Sequence, residues 1–196
     1  MKRFFDIIAS GLGLIALSPL FAVLAIWIKA DSKGPVFYRQ VRVGKDNKDF
    51  RLFKFRSMRP DSDKLGLITI GNHDPRVTRS GYYIRKYKLD EFPQLINVFK
   101  GDMSLVGPRP EVRKYVDLYT PDQRRVLSVR PGITSLASIR YRNENEIMAA
   151  SSDPDKCYIE QVMPDKLSID MEYVSKANLL TDIKLIFSTF KEIILH

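Results

Sequence analysis

Hydrophobic residues are not spread evenly along this chain. From Ile7 through Ile28 there is no charged side chain for 22 residues, whereas the rest alternates apolar and charged positions. About 20 apolar residues suffice for a helix to cross a hydrocarbon core roughly 30 Å thick. Lys2-Arg3 before the run gives it the outline of a signal peptide, but no small-residue cleavage site follows. Pro19 interrupts it. Proline lacks the N–H that would bond the Ile15 carbonyl and disfavours helical geometry at Ser18, so a break or kink is predicted there. Arms of about 12 and 10 residues, at roughly 1.5 Å per residue, each reach half a bilayer. Lys2 and Arg3 lie on one flank, Lys29 and Lys33 on the other. The positive-inside tendency places both flanks on one side. From the residues alone, a re-entrant hairpin and a kinked span remain equal alternatives, since Ser18 can satisfy the carbonyl that Pro19 frees.

Beyond the run, "GPVFYRQVRVG" and "DFRLFKFRSM" are aromatic and β-branched, and "GKDNKD" between them supplies a turn: a β-hairpin. Residues 60–80 read as a loop with short pieces of structure. In "LDEFPQLINVFKG", Asp90 reads as an N-cap, Pro93 lies in the first turn and Gly101 closes the helix. Phe92, Leu95, Ile96 and Phe99 are its predicted buried face. Further helices are expected over 111–119, 121–129 (capped by Thr120), 154–163 (capped by Asp153), 165–176 and 178–195. In the last, Leu180, Ile183, Phe187, Phe190 and Ile194 form a stripe read as core packing, with a membrane-surface face as the other reading.

Composition narrows the partners. The formal charge is +9, which favours an anionic partner. Residues 39–59 hold eight Lys/Arg, and residues 143–172 hold eight acids, so the positive charge is localised. One cysteine, Cys157, excludes an internal disulfide, and two histidines exclude the usual Cys/His zinc sites. His73 reads as a surface loop residue rather than a general base.

The candidate chemistry centres on Asp90-Glu91. An N-cap with a dipole-complementing neighbour would explain any such pair. Here, however, Arg85 and Lys88 precede it, and Arg109 follows between Pro108 and Pro110. Arginine forks match phosphate oxygens. A carboxylate beside a bound phosphate makes sense as a nucleophile at phosphorus or as a ligand for a divalent metal. Asp90, kept ionised by the helix terminus, is the candidate nucleophile and Glu91 the Mg²⁺ ligand. Arg76, and Lys54 and Arg56 of "KFRSMR", are further candidate phosphate or substrate contacts. The alternative of a nucleic-acid strip at 54–59 is disfavoured by the apolar N-terminus.

The chain then resembles the small monotopic phosphoglycosyl transferases of the bacterial sugar transferase family. The resemblance runs through "KRFFDI", "LSPLF", "GPVFYRQVRVG", "FKFRSM", "DPRVTRSG", "IRKYKLDEFPQLINVFKGDMSLVGPRP" and "RPGIT". It is strong over residues 1–135 and looser beyond. The resemblance implies transfer of a sugar-1-phosphate from a UDP-sugar to polyprenyl (undecaprenyl) phosphate at the cytoplasmic face of the bacterial inner membrane, releasing UMP. It places catalytic roles on Asp90 and Glu91 with Mg²⁺, phosphate binding on Arg85 and Arg109, and the helix break of a re-entrant hairpin on Ser18-Pro19. After "RPGIT" the chain reads "SLASIRYRNENE" where many relatives have Gly-Trp-Ala-Gln. Arg142 is the candidate match to a nucleotide-associated arginine there.

The fold expected is mainly α with a small β-hairpin. Residues 1–33 form the re-entrant membrane helix-break-helix hairpin, and residues 34–196 a compact cytoplasmic catalytic domain with amphipathic interfacial helices. Lipid of one leaflet is an expected partner and nucleic acid is not. The competing class is a non-catalytic, membrane-anchored basic protein binding acidic lipid or nucleic acid, which would need no carboxylate pair inside its anion site.

Overall fold

A computed structural model describes residues 1–60, 62 and 74–194. His73 and most of the 60–80 loop lie outside the described residues, as does His196. The apolar run forms α1 (Lys2–Asp31), one helix of 30 residues that continues through Pro19. The expected interruption is therefore absent from the secondary structure, and the physical reason is local. The Ser18 hydroxyl donates to the Ile15 carbonyl at 2.8 Å, taking up the acceptor that Pro19 leaves without an N–H.

Both ends of α1 are held by the same body. At its start Arg3 donates to the Val98 and Phe99 carbonyls, and Asp6 accepts from Ser104 Oγ at 3.1 Å and Leu105 N at 3.0 Å. Lys2 donates to Val106 O at 2.9 Å and pairs with Asp182. At its end Asp31 accepts from Ser80 N at 2.9 Å and Ser80 Oγ at 2.8 Å. Arg56 donates to Ser32 O at 2.8 Å and to Lys33 O, closing carbonyls that the helix terminus leaves open. Leu24 and Ile28 pack against Phe55 and Ile84, each burial contributing about 2 kcal/mol. Phe4, Ile8, Leu12 and Ile15, then Val23 and Ile26 two turns on, leave apolar side chains exposed.

The predicted hairpin is present as antiparallel β1 (Phe37–Val43) and β2 (Asp49–Phe55), with Val43 opposite Asp49. Thr78 then caps α2 (Arg79–Lys86), whose first two residues fall in the expected 60–80 loop and whose remainder carries no sequence assignment. A 3₁₀ turn (Leu89–Glu91) leads into α3 (Gln94–Lys100), which Gly101 ends at φ 99°. The buried face of α3 is Gln94, Asn97 and Val98, not the predicted apolar set. Asn97 wins an interior place because its amide satisfies the hairpin: its Oδ1 accepts from Phe53 N at 2.9 Å and its Nδ2 donates to Arg51 O at 2.8 Å. Phe99 is left 50% exposed.

β3 (Ser104–Val106) pairs in parallel with β4 (Gly132–Thr134), a two-stranded element absent from the sequence reading. α4 (Arg113–Val116) is shorter than expected, and residues 123–128 form a 3₁₀ helix. Before it, Gln123 N and Thr120 Oγ1 meet at 3.3 Å while Thr120 N donates to Gln123 Oε1 at 2.9 Å, a reciprocal capping box. α5 (Leu136–Arg140) and α6 (Glu144–Ala149) precede α7 (Pro154–Cys157), capped by Asp153 as expected. A π-helical turn then joins α7 to α8 (Met163–Lys176). These helices share one core built on Val43, Tyr115, Val116, Val126, Tyr158 and Val162.

α9 (Leu179–Ile194) reverses its predicted orientation. Leu180 is 72% and Phe187 70% exposed, while Asp182 and Leu185 face inward. The buried Asp182 is paid back by Lys2 and by Tyr173 Oη at 2.6 Å. Leu180 and Phe187 therefore look outward rather than into the core, while Ile183 is half-buried.

Candidate active site

Four segments bring the cationic cage together. β2 supplies Lys54 near its end, α2 supplies Arg85, the 3₁₀ turn supplies Asp90 and Glu91, and the segment after β3 supplies Arg109. Asp90 is not the N-cap of an α-helix, as the sequence suggested. Lys88, at φ 56°, turns the chain out of α2 so that both carboxylates fall in the 3₁₀ turn ahead of α3.

Backbone packing fixes Arg109. Gly107 N donates to Thr134 O at 3.0 Å, and Gly132 N donates to Pro108 O at 2.9 Å. A Cβ on Gly132 would meet Gly107 O at 2.6 Å and Thr134 O at 2.7 Å. Only glycine permits this approach, and it delivers the Pro-Arg-Pro segment to the carboxylates.

Glu91 is the centre of an ion-pair cluster. Lys54 Nζ donates to its Oε1 at 3.0 Å, Arg109 NH1 to its Oε2 at 3.3 Å, and Arg109 NH2 to its Oε1. Burial opposes its charge, but Arg109 and Lys54 overcome that and hold the Glu91 carboxyl well below the usual carboxylate range. Glu91 in turn raises Arg109 above its ordinary value. Asp90 differs. Burial pushes it up and Glu91 adds repulsion, against the pull of Lys54, Arg85 and Lys88. The helix-terminus argument for its ionisation does not hold, since burial and Glu91 together outweigh these three cations. Its Oδ1 is buried without a hydrogen-bond partner, one of three such side-chain atoms among the described residues, with Ser32 Oγ and Arg56 Nε. An orphaned carboxylate oxygen inside a cationic cage is chemically poised to take a cation or an electrophilic phosphorus.

The other candidates separate. Arg56 is buried at the end of α1, where its guanidinium is committed to the Ser32 and Lys33 carbonyls rather than to the carboxylates. Arg76 forks onto Asp74, with Nε to Oδ1 at 2.9 Å and NH2 to Oδ2 at 2.6 Å. Asp74 also feels Arg85, which ties that pair to the edge of the cage. Arg142 is exposed in the turn after α5. Two residues on, Glu144 pairs with Lys166 at 2.6 Å, and its charge raises Arg109. Glu144 and Asp170 were legible only as members of an acidic segment, since nothing in their spacing ties them to Arg109.

Asp170 carries a pH dependence. Burial pushes its carboxyl up to about 6 from 3.8, against the lowering effects of the Ala137 amide, Lys166, the Arg109 amide and the Ser135 hydroxyl. An acid whose folded value is raised binds its proton more tightly in the native state. Its stabilising effect is complete below about pH 4 and is lost as pH rises to about 6. Asp170→Asn keeps an acceptor for Ala137 N and should be more stable than the parent at pH 7.5, by about 1–3 kcal/mol. The gap should vanish near pH 4, as thermal melts across that range would show.

Among the described residues no three His, Cys, Asp or Glu side chains gather into a cage. Mg²⁺ needs only one or two carboxylates when phosphate oxygens complete its shell. The Asp90-Glu91 pair, with one oxygen free, fits a cation that arrives with a phosphorylated substrate.

Comparison with known proteins gives one consistent result. The family model described as "Bacterial sugar transferase" matches residues 1–196. A UDP-N-acetylgalactosamine-undecaprenyl-phosphate N-acetylgalactosaminephosphotransferase of Aeromonas hydrophila is 40% identical over 199 residues, covering 99% of this chain and 44% of that protein. An undecaprenyl-phosphate glucose phosphotransferase of Komagataeibacter xylinus is 40% identical over 201 residues, covering 97% of this chain and 35% of that protein. The exopolysaccharide production protein PSS of Rhizobium leguminosarum bv. phaseoli is 37% identical, and here the match covers 96% of this chain and 92% of the relative. The chain thus spans less than half the length of the first two relatives and nearly all of the third.

Proposed function

The chain belongs to the bacterial sugar transferase family, and we propose that it moves a sugar-1-phosphate from a UDP-sugar to membrane polyprenyl phosphate, such as undecaprenyl phosphate, releasing UMP. The observation that carries this reading is the half-buried Asp90-Glu91 pair caged by Lys54, Arg85, Lys88 and Arg109. A protein that merely bound acidic lipid or nucleic acid would gain nothing from two carboxylates inside its cationic site.

Asp90 is the nucleophile. One of its oxygens attacks the β-phosphorus of the UDP-sugar, the P–O bond to UMP breaks, and UMP leaves with that electron pair. An oxygen of polyprenyl phosphate then attacks the same phosphorus and the bond to Asp90 breaks, giving polyprenyl-diphosphate-sugar and a free carboxylate. Arg85 and Arg109 neutralise charge that builds on the phosphoryl oxygens. Lys54 offsets the repulsion between Glu91 and Asp90 in the resting site. Glu91, with Asp90 beside it, would hold Mg²⁺, whose contribution is to offset diphosphate charge. Two successive displacements let a soluble donor and a membrane acceptor use one small site in turn.

A screen of UDP-sugars with polyprenyl phosphate, reading UMP release, tests the reading; no release with any donor would remove it. Chelation of divalent cations should abolish release, and Glu91→Gln should raise the Mg²⁺ needed or abolish turnover. Full activity in chelator would leave the carboxylate pair without its explanation.

The membrane reading rests on α1. An apolar helix with 11% of its most apolar window buried presents its outer face to lipid. Arg3 and Asp6 at one end and Asp31 at the other are tied to one body. One body holds both ends of this uninterrupted helix, so α1 lies along that body in the cytoplasmic leaflet of the inner membrane instead of crossing to the other side. Cys157 is buried, so the reporters are single cysteines placed at Met1 and at the exposed Asp122. Neither should react with an impermeant thiol reagent in intact cells, and both should react once the membrane is opened. Labelling of either from outside would sink the monotopic arrangement.

A further inference from the structure

The exit of α1 from its apolar stretch carries a group of rings that the proposed chemistry does not use. Trp27, the chain's one tryptophan, lies on the last turn but one of α1. Its ring centroid is 5.9 Å from that of Tyr83 on α2, and Tyr83 is 5.3 Å from Tyr82 in an edge-on pair. One turn further, Lys86 Nζ stands 5.7 Å over the ring of Tyr87. All four rings are exposed, Trp27 at 40% and Tyr87 at 59%. In a soluble core these rings would face inward, yet the inward face of α2 is Ser80, Gly81 and Ile84.

Charge around the rings has one sign. Lys29, Arg79, Lys86 and Lys88 are exposed beside them. Of the acids nearest in sequence, Asp31 is occupied by Ser80, and Asp90 and Glu91 lie within the cationic cage. Tyrosine and tryptophan carry an apolar ring and a polar tip, which suits the boundary between acyl chains and headgroups, and lysines there meet lipid phosphates. The rings also continue the exposed apolar face of α1, where Val23 and Ile26 are bare. The same short helix carries Arg85, and Lys88 follows it; both charges act on Asp90. The depth at which α2 sits therefore sets the height of the nucleophile.

We propose that Trp27, Tyr82, Tyr83 and Tyr87 form an interfacial strip that seats α2 in the phosphate headgroup layer of a phospholipid bilayer and holds Asp90 at the level of a lipid-borne phosphate. The proposal rests on the membrane reading of α1 above and adds which surface sets the depth. Its occupant is the bilayer headgroup zone, not a protein partner and not a soluble phosphate.

The sole tryptophan makes the test direct. Full-length protein is bound to phosphatidylcholine–phosphatidylglycerol vesicles whose acyl chains are brominated either near the glycerol or near the terminal methyl. Trp27 emission should be quenched more strongly by the shallow bromines. Stronger quenching by the deep bromines, or none by either, overturns the strip. In a second arm, Tyr83→Ser with Tyr87→Ser should lower transfer to vesicle-borne polyprenyl phosphate by about tenfold, the size expected for losing two interfacial anchors. Donor-only exchange of UMP with the UDP-sugar should stay within about twofold, because the carboxylate cage is untouched. Equal loss in both assays, or loss in neither, overturns the assignment. If the parent protein shows no exchange at all, the catalytic reading fails, while the quenching result still decides the strip.

Discussion

Asp90→Asn should abolish both the covalent sugar-phosphate adduct and the exchange of UMP with the UDP-sugar, lowering turnover by at least about 10³-fold. The substitution is nearly isosteric, and the cluster of Glu91 with Lys54 and Arg109 makes no hydrogen bond through Asp90. The variant should therefore fold. It should even gain stability, because burial and Glu91 both work against the charge it removes. A gain in melting temperature with total loss of chemistry is the signature of a group kept for function at a cost in stability. Incubation with donor alone followed by mass spectrometry should place the sugar-phosphate mass on the peptide holding Asp90 in the parent and nowhere in the variant. Asp117→Asn, at an exposed carboxylate, should keep adduct and exchange. Substantial exchange in Asp90→Asn would mean that UMP leaves without this nucleophile, and a direct transfer between donor and acceptor would replace the two-step route.

What the sequence made legible was local. The β-hairpin followed from aromatic and β-branched residues around a turn, and the caps at Thr120 and Asp153 from a capping side chain set just before a proline. The cation-ringed carboxylates could be read because Arg85, Lys88, Asp90, Glu91 and Arg109 lie within 25 residues of one another. The readings that failed depend on long-range partners. Periodicity called Phe99 and Phe187 core, but a helix pattern shows only that one face is apolar, not which neighbour covers it. Asn97 and Asp182 took inward positions because distant groups satisfy them, the hairpin backbone for one and Lys2 for the other. Arg56 looked like a phosphate contact among the basic residues of the hairpin, yet the open carbonyls of α1 claimed it. The pairing of β3 with β4 has strands too short for any alternation to appear.

That short parallel pair is where the second large effect is expected. Gly132→Ala would place a methyl group against Gly107 N and O and Thr134 O, all backbone atoms that cannot rotate away. Overpacking against backbone is relieved only by moving a strand, at a cost of about 3 kcal/mol or more. The strand free to move carries Gly107 and the Pro108–Pro110 segment, since Gly132 N holds it through Pro108 O. Displacing it draws Arg109 from Glu91. Exchange should fall by at least about 10²-fold, the scale of losing one charge-stabilising donor, and the melting temperature should drop together with it. Arg109→Lys separates the two effects, because it removes the guanidinium fork while leaving a cation for Glu91 and the glycine contact intact. It should lose a similar share of exchange with a smaller change in melting. If Gly132→Ala melts like the parent and keeps its exchange, the close approach of the two strands does not position Arg109, and the guanidinium is held by Glu91 alone.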